Sequence, residues 1–411
     1  MLIAHFNKAS LGNHQTPAAI KKTFVFSVIA AFLTALLGFS SVASAMGVKT
    51  FWTGSNSTLW SDGKNWAYAP GGAPINLTPS SYDEVVFPAT NSANSSATVL
   101  GGNMSIKFLT INSSVPVGIG GGGYLEILNG SITTSSAAGN VLINAPLILK
   151  GPTILAIENQ NTTIASLTAT NNMIKQGNGV LNLSGPSTIN GTTTVSAGTL
   201  NVNGSTSASS RFTVASGATL GGNGTIGGDA TIYGIHSPGN SPGIQTFTGN
   251  LTYDTSGGNG PTVNWQLSGN TDTNFSAFDQ IVVGGNLAFN TPTSLVLDFS
   301  GYGDVDWADP FWTTDQSWVI YDVAGTTTGA NNFSIATANW ADNSGDTFNT
   351  LLSGSAFSLS QQGNDLVLNY TAGTAAVPEP SQVAASLLAL VGIGIYLWRR
   401  KHAAQTKHQH S

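Results

Sequence analysis

Gly177-Asn178-Gly179-Val180-Leu181-Asn182-Leu183-Ser184-Gly185 is echoed by Ala197-Gly198-Thr199-Leu200-Asn201-Val202, and again by Gly217-Ala218-Thr219-Leu220. Leu181 and Leu200 stand 19 residues apart, Leu200 and Leu220 stand 20 apart. A period near 20 with three short strands per unit suits a parallel β-helix, in which each coil stacks ~4.8 Å above the last and apolar residues form ladders inside. The alternation predicts Leu181, Leu183, Val195, Leu200, Val202, Val214, Leu220, Ile226 and Ile232 as inward positions. Asn and Thr are expected at the corners, laddering their side-chain hydrogen bonds, with glycine supplying positive φ.

Outward from this stretch the same grammar continues. Thr98-Val99-Leu100, Ile106-Lys107-Phe108-Leu109, Tyr124-Leu125-Glu126-Ile127 and Val141-Leu142-Ile143 are short strands split by Gly, Asn and Ser. Beyond residue 245 the period weakens. Leu251 to Tyr253, Val263 to Leu267, Ile281 to Val283, Leu295 to Phe299, Trp318 to Tyr321 and Leu366 to Tyr370 are strands of more varied spacing. The expected fold class is all-β: an N-terminal aromatic cap over 46–96, solenoid repeats over 97–245, and further coils or a small β-sandwich cap over 246–370. A linker at 371–376 then leads to one C-terminal transmembrane helix.

Composition agrees with strands and turns. The chain has 411 residues, 49 of them glycine and none cysteine, and only 8% are charged, against roughly 25% in an average soluble domain. Absent cysteine removes disulfides, thiolate metal sites and cysteine nucleophiles. The net charge of −6 is unevenly placed. Residues 46–376 hold 6 basic and 18 acidic side chains, while 1–45 and 377–411 each carry +3. An acidic body repels phosphate backbones, so nucleic acid is not an expected partner.

Two apolar segments frame the body. Phe24 to Phe39 follows Lys21-Lys22 and precedes Ala43-Ser44-Ala45, the layout of a secretory signal peptide over 1–45 cleaved after Ala45. The alternative is an uncleaved N-terminal anchor. Val383 to Trp398 is apolar apart from Ser386 and ends in Arg399-Arg400-Lys401. As a helix it measures ~24 Å, a short membrane span, and the basic cluster sets the tail 402–411 in the cytoplasm.

Val377-Pro378-Glu379-Pro380 stands just before that helix. Pro-Glu-Pro, apolar helix and arginine cluster, in that order, resemble the PEP-CTERM sorting signal of bacterial envelope proteins. The resemblance covers 377–401. It implies an exosortase-type membrane enzyme as partner, processing the chain near Pro378 to Pro380. Ten residues follow Lys401 here, more than the family usually carries. A second resemblance covers most of 50–370. Phe51-Trp52-Thr53-Gly54, Asn65-Trp66 and Asp83-Glu84-Val85-Val86-Phe87, the repeats of 177–202, Ser237-Pro238-Gly239-Asn240-Ser241-Pro242-Gly243 and Phe278-Asp279-Gln280-Ile281-Val282-Val283 resemble proteins with autotransporter-associated β-strand repeats. It implies an exported solenoid.

Candidate chemistry is sparse. His236 is the only histidine of 46–376, so a multi-histidine zinc site is impossible there, and no serine nucleophile motif adjoins it for a Ser/His/Asp triad. The basic residues Lys49, Lys64, Lys107, Lys150, Lys175 and Arg211 are scattered. No carboxylate pair recurs at coil spacing, as a polysaccharide lyase or hydrolase would need. Asp304, Asp306 and Asp309, within a wider set of Asp298, Asp315 and Asp322, offer oxygen ligands for calcium; they read first as solvated turn residues. Gly118 to Gly123 lacks the Lys-Ser/Thr of a phosphate loop and reads as a flexible turn. Trp52, Trp60 and Trp66 read as an edge cap, or else as a sugar platform.

The expectation is therefore an exported, non-enzymatic cell-envelope protein, without cofactor or metal, whose solenoid serves in surface matrix or adhesion. The alternative is an extracellular carbohydrate-binding protein, with Trp307, Trp312, Trp318 and Trp340 facing polysaccharide, or a polysaccharide-degrading β-helix enzyme.

Overall fold

The computed structural model describes residues 47–373, apart from 91, 92, 241, 259, 301, 302, 337 and 339, together with Ile393, Ile395 and Leu397. The signal peptide with Ala43 and Ala45, the motif Val377 to Pro380, the cluster Arg399 to Lys401 and nearly all of 383–398 lie outside the described residues. Ile393, Ile395 and Leu397 are helical. No helix among the described residues is long and apolar enough to cross a membrane, so the expected C-terminal span has no structural support here.

The chain winds as a three-sided parallel solenoid. One coil runs Val180–Leu183, Ser187–Ile189 and Thr192–Val195, one strand per side. The next coil lays Thr199–Val202 on the first of these and Arg211–Val214 on the third, both parallel. The side begun by Leu147–Lys150, Leu167–Ala169 and Ser187–Ile189 continues through the bridges Ser187–Thr206 and Ser205–Thr225 into Thr225–Ile226.

The register is the one that the repeat predicts. Leu181 lies opposite Leu200, and Leu200 opposite Leu220; Val195 lies opposite Val214, and Val214 opposite Ile232. All nine predicted inward residues are fully buried. A strand side chain alternates between faces, so a one-residue slip would turn every one of them outward. That penalty fixes the stacking.

The polar ladders are partly displaced from where they were expected. Asn201 donates to Asn182 at 2.9 Å and Asn182 to Asn161 at 2.7 Å. Asn182 and Asn201 sit mid-strand on the outer surface, not at corners. A true corner ladder runs elsewhere: the amides of Asn250, Asn286 and Thr326 each donate to the side chain one coil below, on Asp229, Asn250 and Asn286.

Parallel pairing continues past residue 245 up to Phe333–Ile335. The coils simply lengthen: the Asn250–Asn286 step is 36 residues and the Asn286–Thr326 step 40. The added length falls at the same corner each time, between Thr262–Gln266 and Gln280–Val283 in one coil and between Thr293–Asp298 and Gln316–Val323 in the next. Among the described residues the antiparallel strand pairs stand at the two ends: Lys49–Trp52 with Trp66–Ala67 at the start, and at the finish the hairpin Ala356–Gln362 with Asp365–Thr371, which pairs antiparallel with Gln316–Val323.

The Gly118–Gly123 run is not all turn. Val117–Gly120 is a strand paired between Thr98–Val99 and Val141–Ile143, and it needs glycine at 118, where a Cβ would sit 2.2 Å from the Ser96 carbonyl oxygen.

Candidate functional site

At the first end of the solenoid, Trp52, Trp60 and Trp66 are fully buried. Trp66 meets Trp52 at 5.1 Å and Trp60 at 5.3 Å between ring centroids, both edge to face. Their indole N–H groups donate to Ala93 O, Thr98 Oγ1 and Trp60 O. Rings and donors are all committed inward, so this is a cap and not a sugar platform.

The C-terminal aromatics behave alike. Trp307, Trp312 and Trp318 are 1% exposed, and Trp340 is partly buried against Phe299, Phe348 and Phe357. Trp307, Trp312 and Trp318 therefore do not offer the exposed rings that the carbohydrate-binding alternative requires. These indoles pack on one another and on Phe299, Phe348, Phe357 and Tyr370 within the lengthened coils, where the larger cross-section needs large side chains to fill it.

Between the caps lies the densest polar constellation. His236, Gln245, Tyr253 and Tyr321 come from four strands and are all buried. Gln245 Nε2 donates to Gly221 O at 2.8 Å, so its Oε1 accepts from His236 Nε2–H at 2.7 Å. His236 Nδ1 then accepts from the Tyr253 hydroxyl at 2.6 Å, which itself accepts from Tyr321 at 2.8 Å. The chain has one direction and leaves His236 neutral. Burial drives its pKa down to about 4, against a weaker opposing effect of the Gln245 bond. Burial also raises both tyrosines. Both ring nitrogens of His236 are taken by Tyr253 and Gln245, and no serine bonds it among the described residues.

Asp279 anchors the Ser237–Gly243 turn. Its two carboxyl oxygens accept from Gly243 N at 2.8 Å and Gln266 N at 3.0 Å, and its carbonyl accepts from Trp265 Nε1. Burial pushes its pKa up to about 8; the two amide bonds oppose this, and Asp298 adds to it. Gly239 has φ +84°, and a Cβ there would lie 2.4 Å from Asp279 Oδ1. The glycine is therefore required both by backbone conformation and by this contact.

Lys175 replaces an aliphatic rung, lying opposite Leu155 and Val195. Its buried ammonium donates to Gly177 O at 2.7 Å and Ala197 O at 2.9 Å. Burial lowers its pKa to about 8, with Glu158 opposing.

At the far corner Asn270, Asp304, Asp306, Asp309, Asn343 and Ser344 line an open notch. Asp306 accepts from Ala308 N, and Asp309 caps the short helix Pro310–Thr313 through Phe311 N. No group of three His, Cys, Asp or Glu among the described residues is arranged to hold a metal. The Asp306 and Asp309 carboxylates thus each bond a backbone amide two residues on.

Residues 173–202 match the passenger-associated-transport-repeat family. No curated protein matches the chain. The matched segment opens on the strand that carries Lys175 and closes on Val202. It holds the coil with the tightest sequence period, including the Leu181–Leu200 and Asn182–Asn201 rungs. The sequence reading identified His236 but not its partners: Gln245, Tyr253 and Tyr321 lie 9, 17 and 85 residues away in the chain, and no linear motif joins them.

Proposed function

We propose that the chain is an exported, non-enzymatic envelope protein whose β-solenoid presents a stiff scaffold in surface matrix or adhesion. The observation that carries this reading is the three-sided parallel solenoid with a passenger-associated-transport-repeat built into it. The buried histidine, aspartate and lysine support it: each is consumed in hydrogen bonds that hold coils together. The order of Val377 to Pro380, an apolar run and Arg399 to Lys401 supports sorting by an exosortase-type enzyme, with anchoring before processing.

Fractionation with mass spectrometry of both termini tests the proposal. The mature protein is expected in the envelope, starting after Ala45 and ending near Pro380. An intact Ser411 in every copy would reject sorting, and a cytoplasmic pool with Met1 retained would reject export. Release of reducing sugar from envelope polysaccharide by the pure protein would reject the non-enzymatic role.

A further inference from the structure

With the bridges Ser187–Thr206 and Ser205–Thr225 joining two of the sheets, the described strands leave five sheet ends, and four of them are short. The strands Trp66–Ala67, Thr98–Val99, Thr327–Thr328 and Phe333–Ile335 are two or three residues long. Brevity is one way proteins blunt an open sheet edge; charge, proline and bulges are others. The fifth end, Ala356–Gln362, uses none of these. It is seven residues long, reads Ala-Phe-Ser-Leu-Ser-Gln-Gln, and pairs with Asp365–Thr371 without a register shift. No third strand pairs with it among the described residues.

The hairpin geometry says which groups the edge offers. Gln362 and Asp365 flank a two-residue turn, Gly363-Asn364, and such flanking residues exchange hydrogen bonds. Alternation then aims the N–H and C=O groups of Phe357, Leu359 and Gln361 away from the hairpin. The Phe357 ring packs on Phe299, Trp340 and Phe348, and Leu359 is also partly buried; Ser358 is exposed.

We propose that Ala356–Gln362 is a self-pairing edge, joining two copies of this chain antiparallel about a two-fold axis at Leu359. Leu359 faces its own copy, Phe357 faces Gln361, and Ser358 faces Ser360. No like charges meet, and the partly buried face of each strand continues across the junction. An isologous contact of this kind closes at two subunits.

The lack of native cysteine makes the test direct. In the full chain in detergent, Leu359→Cys is the sole thiol. A hydrogen-bonded antiparallel pair places its Cα atoms about 5.5 Å apart, within disulfide range. Mild oxidation is expected to link Leu359→Cys chains into dimers but leave Ser358→Cys monomeric. Light scattering is expected to give a dimer for the native chain. Leu359→Pro, which removes only an outward N–H, and Leu359→Lys, which sets like charges together, are each expected to weaken the dimer about tenfold or more. A native monomer at tens of micromolar would overturn the proposal. So would a dimer indifferent to both Leu359 variants, or cross-linking at Ser358→Cys in preference to Leu359→Cys.

Discussion

His236 Nδ1 accepts a 2.6 Å hydrogen bond from the hydroxyl of Tyr253, deep inside the solenoid. That bond needs a neutral imidazole. Burial holds the folded pKa near 4, below the ordinary 6.5. A lowered base pKa means that the unfolded chain takes up a proton which the folded one refuses. The stabilising contribution is full above pH 6.5 and disappears as pH falls through 4. In guanidinium titrations, His236→Gln is expected to be less stable at pH 7 but to lose less on acidification. An unchanged acid slope in the variant would contradict this.

Asp279 behaves in the opposite sense. Its folded pKa, pushed by burial to about 8, exceeds the ordinary 3.8. Its contribution is therefore full below pH 3.8 and lost as pH rises through 8. Above pH 6.5 the His236 contribution is constant, so the midpoint of unfolding is expected to decline towards about pH 8.5. Asp279→Asn is expected to flatten that decline while costing about 1–3 kcal/mol at neutral pH, because Gly243 N or Gln266 N loses its acceptor.

Leu200 is a rung between Leu181 and Leu220. Leu200→Ala leaves a cavity that stacked strands cannot close, at a cost of about 2–5 kcal/mol. Asn182→Ala, on the outer ladder, removes side-chain hydrogen bonds that water replaces and is expected to cost about 1 kcal/mol. Equal effects in chemical denaturation would mean that the interior ladder is not the dominant support.

Lys175→Met keeps the length and the burial but strips the donor from Gly177 O and Ala197 O. A loss on the order of 2 kcal/mol is expected. Amide exchange is expected to accelerate at the coils of 173–202 before it does elsewhere, and uniform acceleration would argue against this local role.

The solenoid was legible because its signal is local and repeated. Leu181, Leu200 and Leu220 name their own partners through spacing. The Trp60 cap was legible in part: clustered tryptophans announce an edge, but the donor from Trp60 Nε1 to Thr98 Oγ1 spans 38 residues without any pattern. The Asn182–Asn201 ladder was recognised but placed at a corner, since sequence does not show where a strand bends. Trp312 entered only the carbohydrate-binding alternative, as an exposed ring, and it is buried; residue type alone does not separate a buried indole from an exposed one.

By itself the sequence determined the strand period, the inward ladder and the charge-poor acidic body. Those follow from alternation and from counting. The tertiary structure decided the rest: that the coils lengthen past residue 245 before the closing hairpin, and that His236 is neutral. Each of these depends on which groups meet across 36 or more residues, or on how completely water is excluded around a side chain. Neither quantity is written in local spacing, because stacking brings distant coils together only once all of them have formed.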